Sequence, residues 1–185
     1  MRLILASASP RRAELLRAAG FSFETVVTDV DERPSGDESP SIYVRRLAAE
    51  KSAAALAIIK DPDAIILGAD TTVVVDGDIL AKPADEVESA AMLRRLSGRA
   101  HDVLTGVSLR RGAFEVGRVE STRVHVVPLR SDEIAWYVAS GEGRDKAGAY
   151  AIQGLASRFV QRIDGSYSNV VGLPVACVVE LLRNV

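Results

Sequence analysis

The chain is poor in cysteine, histidine, lysine and aromatic residues, and each shortage removes a class of function. A single cysteine, Cys177, precludes a disulfide framework within the chain; it lies in an apolar run, 175–182, and reads as a buried core residue of a reducing compartment. The two histidines, His101 and His125, lack metal-ligand spacing and cysteine partners, so both read as structural. Aromatics make up 5% of residues and form no stripe with basic ones, which argues against a stacking surface for single-stranded nucleic acid. The net charge is −2 with acids and bases interleaved, so no basic face for nucleic acid is expected. No apolar run approaches the ~18–20 residues of a membrane helix, and residues 3–8 are too short for a signal-peptide core. These absences predict a cytoplasmic protein without membrane or nucleic-acid partners. Its 185 residues suffice for one good core or for two small lobes around a cleft.

Lysine is scarce as well, four residues against nineteen arginines. Where arginine supplies positive charge by default, the remaining lysines mark places that need a compact ammonium. Lys51, Lys82 and Lys146 fall beside the motifs below, whereas Lys60 reads as a solvated helix end.

Strand and helix patterns alternate along the chain. A short apolar strand, 3–6, leads to a helix that begins with Ser9 as N-cap and Pro10 as its first residue, and stops at Gly20. A strand at 23–27 precedes an acidic loop, 29–39, and a long alanine-rich helix, 42–59, that Ser41 or Pro40 starts. Residues 64–68 form a fully apolar run, typical of a central buried strand. Strands at 71–75 and 79–81 flank a hairpin signal, Asp76-Gly77-Asp78. A helix at 83–96 is followed by two longer strands, 103–111 and 115–127, around Gly112. A helix at 131–140 that buries Trp136 ends at Gly141, ahead of an irregular glycine-rich stretch, 143–154. A strand at 158–163, a polar turn containing Ser166, Ser168 and Asn169, and a helix at 174–183 complete the chain. This order predicts an α/β fold with a mixed twisted sheet and flanking helices.

Chemistry concentrates in a few places. Ser7-Ala8-Ser9-Pro10-Arg11-Arg12 sets hydroxyls, guanidinium groups and unpaired N–H groups around a helix N-terminus, which suits a phosphate. Asp70 follows the buried strand directly in Gly68-Ala69-Asp70-Thr71, a position outside a strand's carboxyl end that suits water activation or a metal. The acidic loop offers carboxylates to a hard cation, but its spacing matches no established cage. Glu32 gains interest only if the fold brings it near Asp70. The stretch 141–148 is neither a Walker A sequence nor a dinucleotide fingerprint; it reads as a loop that lets Lys146 and Gln153 approach a ligand. Gln153 can both donate and accept, as reading a base edge requires.

Together these segments resemble the Maf family of nucleoside triphosphate pyrophosphatases. The matching pieces are residues 7–12, Glu32, Lys51, 68–71, Lys82-Pro83, 101–106, 146–154, Gly165-Ser166-Tyr167 and Gly172-Leu173-Pro174, in family order along nearly the whole chain. The resemblance implies one Maf-like domain over 1–185, a two-lobed fold around a nucleotide cleft related to the inosine triphosphatase fold, and cleavage between the α and β phosphates. It makes Asp70 the general base. Ser7, Ser9, Arg11, Arg12, Lys51, Thr71, Lys82, Lys146 and Gln153 become substrate contacts, with base choice at Arg12, Thr71 and Gln153. Arginine, threonine and glutamine there look like the branch acting on dTTP and UTP, and disfavour the branch acting on 7-methyl-GTP. A divalent ion, Mg²⁺ or Mn²⁺, held by Asp70 with Glu32 would activate water; an Asp70 committed to metal could not also be a free base, so both assignments stay open. The resemblance also allows a homodimer. A nucleotide-sensing regulator would need the same cleft, but could dispense with Asp70.

Overall fold

The computed structural model describes residues 2–36 and 38–185. The first strand, β1 (Leu3–Ala6), is buried on both faces, as an alternation-free apolar run requires. It is followed by α1 (Pro10–Ala18), β2 (Glu24–Val26), α2 (Pro40–Ile59), β3 (Ile65–Val75), β4 (Asp78–Leu80), α3 (Glu86–Leu96), β5 (Ala100–Arg111) and β6 (Phe114–Val126). Then come α4 (Ser131–Ser140), β7 (Val160–Asp164), α5 (Tyr167–Val171) and α6 (Val175–Leu182), with 3₁₀ turns at Ala147–Ala149 and Leu155–Phe159. The seven strands form one mixed sheet in the order β2-β1-β3-β5-β6-β7, with β4 paired to β3. β1 runs parallel to β2 and to β3, while β3–β4 and β6–β7 are antiparallel. The α/β fold expected from the sequence is therefore present.

The chain forms two compact units. One comprises Met1–Thr71, Thr105–Glu120 and Gly172–Val185; the other comprises Thr72–Leu104 and Ser121–Val171.

In the first unit, alternation along the strands sorts side chains between two layers. Leu3, Leu5, Ile65, Leu67, Ala69, Val107 and Leu109 pack with Ala13 and Leu16 of α1 and with Cys177, Val178 and Leu181 of α6. Ile4, Ala6 and Ile66 face the other way, against Ala55 of α2. On that second face α2 approaches the sheet backbone to backbone. A Cβ on Gly68 would lie 2.2 Å from the carbonyl oxygen of Ala48, and one on Gly106 would lie 2.1 Å from that of Val44. Only glycine permits this approach. Ser39 caps α2 by accepting from the Ile42 N–H at 3.4 Å, and Lys60 ends it in the left-handed conformation.

In the second unit, Asp76 and Gly77 both take positive φ and turn β3 into β4 with Val75 opposite Asp78, a type I′ arrangement. Asp85 caps α3 through the Glu88 N–H at 2.8 Å, so the helix begins three residues later than the pattern suggested. Tyr137 and Glu142 fix the stretch after Gly148. The Tyr137 hydroxyl accepts from the Ala151 N–H, and the Glu142 carboxylate accepts from Tyr137 and from the Leu155 N–H at 2.8 Å each.

Three sequence expectations need correction. Residues 64–68 and 71–75 are not separate strands: β3 runs unbroken from Ile65 to Val75, with Asp70 inside it. Trp136 is not buried but 42% exposed, because α4 turns Ile134 and Tyr137 inward. The Trp136 ring lies on the outside under the Arg158 guanidinium, 4.7 Å from its centroid. Ser168 and Asn169, expected in a polar turn, belong to α5, where the buried Asn169 amide donates to the Val103 carbonyl and to Thr122 Oγ1, both at 3.0 Å.

His101 is buried and carries a pH signature. Its Nε2 lies 2.8 Å from the Tyr150 hydroxyl, and burial pushes its imidazole down from 6.5 to about 4. The folded chain thus keeps a neutral ring, while an unfolded chain takes up a proton once pH falls below about 6.5. Stability from this group is complete above that pH and is lost as pH falls towards 4. The loss amounts to about 3 kcal/mol. Urea midpoints measured from pH 7 to pH 4 are expected to fall in the parent and to fall less in His101→Gln; parallel curves would contradict this origin.

Candidate active site

β1 ends at Ala6, which pairs with Gly68 of β3. Asp70 and Thr71 therefore lie just past the carboxyl end of parallel strand β1, where ligands of open α/β sheets are bound. Asp70 does not follow the strand at 64–68 as expected, since it lies inside β3; the strand that ends beside it is β1. Being neighbours on an extended strand, Asp70 and Thr71 point to opposite faces, and each enters a different polar cluster.

On the α2 face, the Lys51 ammonium lies 2.6 Å from Asp70 Oδ1 and 2.6 Å from Glu32 Oε1. Lys51 and Asp70 are both buried, and Lys51 is delivered by the helical turn that Gly68 admits against β3. The acidic loop thus does reach Asp70. It is held by Tyr43 of α2, whose hydroxyl donates to the Glu32 carbonyl at 2.9 Å. Burial, with Asp70 and Glu32 adding to it, pushes the Tyr43 hydroxyl up to about 12, so it remains a donor throughout the neutral range. Arg46 fastens the same loop through the Arg33 carbonyl at 3.1 Å and the Glu38 carboxylate.

On the α1 face, the Arg12 guanidinium donates through Nε to the Gly172 carbonyl at 2.8 Å, through Nη1 to Ser7 Oγ at 3.2 Å and through Nη2 to Thr71 Oγ1 at 3.0 Å. Burial pushes this guanidinium below its ordinary value; Asp70 and Glu32 oppose that shift and Arg11 adds to it. Arg12 consequently lies in the field of both carboxylates. Ser7 Oγ also accepts from the Ser9 N–H at 3.1 Å. Ser9 is the N-cap residue of α1 by backbone, though its own side chain makes no cap bond.

Lys82, Lys146 and Gln153 belong to the second unit. The segments carrying the two lysines meet there, since the Gly148 N–H donates to the Ala81 carbonyl at 3.2 Å. Gly148 takes a positive φ with no room for a side chain beside Val73, which explains one glycine of that loop. Lys82 is exposed, Lys146 pairs with Asp145, and Gln153 is exposed in the turn before Gly154.

Sequence reasoning missed Tyr43, Thr105 and the carbonyl of Gly172 as site-building groups. Tyr43 and Thr105 look like ordinary residues of an amphipathic helix and a strand. Gly172 gives a signal only in hindsight: its φ of +129° favours glycine and aims its carbonyl at Arg12 and Thr71.

Among the described residues no three His, Cys, Asp or Glu side chains gather as a metal cage. Asp70 and Glu32 do converge on one point, marked by the Lys51 ammonium. Two carboxylates, completed by phosphate oxygens and water, form a donor set that fits Mg²⁺ or Mn²⁺. No helix among the described residues is long and apolar enough to cross a membrane.

Residues 2–185 match the family described as Maf-like protein. A dTTP/UTP pyrophosphatase of Symbiobacterium thermophilum is 53% identical, with 97% of this chain and 92% of that protein aligned. A dTTP/UTP pyrophosphatase of Koribacter versatilis is 50% identical over 99% of this chain and 94% of its own length. Among solved structures, the Ham1 protein of Staphylococcus aureus superposes with a TM-score of 0.55 at 14% identity, covering 100% of this chain and 97% of that one. That likeness speaks to the fold alone.

Proposed function

The chain belongs to the Maf-like protein family, and from that premise we propose that it hydrolyses dTTP and UTP, and modified pyrimidine triphosphates, to the nucleoside monophosphate and pyrophosphate. The observation that carries this reading is the buried Lys51 ammonium clasped by Asp70 and Glu32 just past the end of β1. Burying one ammonium between two carboxylates is costly unless the charges serve a ligand or one another. The reaction needs such charges: a base for water, and cations where the leaving pyrophosphate gathers negative charge.

In this reading Asp70 takes the proton from the attacking water as that water adds to the α-phosphorus. The bond from the α-phosphorus to the bridging oxygen breaks, and the electron pair leaves with pyrophosphate. Lys51 balances the two carboxylates while the site is free of substrate, and offers its ammonium to phosphate oxygens when a triphosphate enters. Arg12 and Arg11 supply further positive charge at the start of α1, and Ser7 fixes the Arg12 fork. Glu32 would hold a divalent ion, which would lower the pKa of a coordinated water and neutralise phosphate oxygens; Asp70 would join Glu32 as a ligand only in the alternative in which it is not the free base. The roles of Lys82, Lys146 and Gln153 rest on the resemblance alone. We read residues 1–185 as a single Maf-like domain and place the protein in the cytoplasm, where its substrates are.

Purified protein with Mg²⁺ or Mn²⁺, assayed against normal and modified triphosphates with separate detection of pyrophosphate and orthophosphate, tests the proposal. Pyrophosphate release greatest from dTTP and UTP is expected. Orthophosphate as the first product, or binding of triphosphate without turnover, would overturn it; the latter would favour a sensor.

A further inference from the structure

Of residues 149–154, only Gln153 presents a side chain outward: Ala149, Tyr150, Ala151 and Ile152 are buried, and Gly154 has none. Two linked side chains hold the backbone on either side of it. Before it, the Ala151 N–H donates to the Tyr137 hydroxyl at 3.1 Å. After it, the Leu155 N–H donates to Glu142 Oε1 at 2.8 Å and the Ala156 N–H to Oε2 at 3.4 Å. Tyr137 and Glu142 are themselves joined, hydroxyl to Oε2, at 2.8 Å. Each direction is fixed, because a backbone N–H only donates and a carboxylate only accepts. The single Tyr137 proton therefore goes to Glu142, and a Tyr137 lone pair takes the Ala151 N–H.

The chain is shaped to bring the carboxylate there. Gly141 ends α4 in the left-handed conformation, with a φ of +72°, and Glu142 follows it directly. A Cβ on Gly154 would overlap the Glu142 carboxylate, so the residue after Gln153 is a glycine for reasons of space. A turn closed by the Gly154 N–H on the Ala151 carbonyl at 3.1 Å carries Gln153 between the two anchors. We infer that Glu142 is a positioning residue for base choice: by gripping Tyr137 on one side and the Leu155 and Ala156 N–H groups on the other, it fixes the turn from which Gln153 offers its amide to the base. A side-chain amide reads a base with one acceptor and one donor at set angles, so a displacement of about 1 Å forfeits the contact. This rests on the role that the family resemblance gives Gln153 in the reading above.

The test compares Glu142→Gln, which keeps the shape but has one acceptor oxygen in place of two, with Gln153→Ala and with the double variant. In Glu142→Gln an amide N–H must face either the Leu155 N–H or the Tyr137 and Ala156 donors, so one anchor of the turn is lost. Each full-length variant is assayed for pyrophosphate release from dTTP, UTP, CTP, ATP and GTP. Glu142→Gln is expected to raise KM for dTTP and UTP about tenfold with kcat within about twofold, leaving the other nucleotides unchanged. In the double variant it is expected to add nothing to the selectivity lost in Gln153→Ala. If Glu142→Gln keeps the parent's selectivity, loses equally on every nucleotide, or lowers selectivity further in the double variant, the inference fails. Gln153→Ala separates the two levels: selectivity lost there but kept in Glu142→Gln sinks the inference alone, whereas selectivity kept in both sinks the reading of Gln153 as well. Should Glu142→Gln not fold, Tyr137→Phe, which keeps the ring against Phe159 and removes the acceptor of the Ala151 N–H, makes the same comparison.

Discussion

Asp70→Asn is expected to lower kcat for dTTP by about 10³-fold while leaving the KM or the binding constant for the triphosphate within a few-fold. The substitution is nearly isosteric and sits inside β3, so the strand is undisturbed. An amide cannot take up the proton of the attacking water, and it is a poor ligand for a hard cation; either way the water loses its activation. The variant remains folded because Lys51 keeps Glu32 as a partner at 2.6 Å, so no buried charge is stranded. Steady-state kinetics, with nucleotide binding measured separately, check both halves. Turnover retained in the purified variant would remove Asp70 from the chemistry; loss of binding together with turnover would make it a structural carboxylate.

The second large effect is on stability. Gly68→Ala places a methyl 2.2 Å from the Ala48 carbonyl oxygen and 2.8 Å from the Ser52 nitrogen, both part of the α2 backbone. Neither can rotate away, so the helix must move as a body and open the apolar layer it shares with Ile4 and Ile66. A cost of about 3 kcal/mol or more is expected, which in a chain of this size lowers the melting midpoint by roughly 10 °C. Gly20→Ala is the contrast: its Cβ meets nothing within 4 Å, and only the positive φ of 81° is penalised, by about 1 kcal/mol. Gly68→Ala should also reduce activity below its melting range, since Lys51 adjoins Ser52 on the displaced turn. Equal melting midpoints for the two alanine variants would show that α2 does not depend on the close approach.

How much of this was legible in the sequence varies with the distance over which the cause acts. Most of α2 is written in its own residues, a long alanine-rich run with no breaker before Lys60, but its start is not: the sequence pattern begins the helix at 42, whereas Ser39 caps it and Pro40 is its first residue. The β3–β4 turn is equally local, because Asp76-Gly77 tolerates the positive φ that a two-residue hairpin demands. Errors arose where tertiary burial overrode a local cue. Gly68 looked like the end of a strand, yet it is a gap in side-chain volume that lets α2 press on a strand continuing to Val75. Trp136, the largest apolar side chain of α4, looked destined for the core; the register of that helix instead turned Ile134 and Tyr137 inward.

The sequence by itself determined the α/β class, the identity of the ionisable groups and the family likeness, since composition, periodicity and motif order are properties of the chain as written. It could name Glu32, Lys51 and Asp70, but not join them, because they lie on a loop, a helix and a strand. Only the tertiary structure decided that one ammonium meets two carboxylates on one face of β3, while Arg12, Thr71, Thr105 and Gly172 meet on the other. The reason is geometric: which face of a strand a side chain takes, and how near a helix may come to it, depend on packing partners far away in the chain.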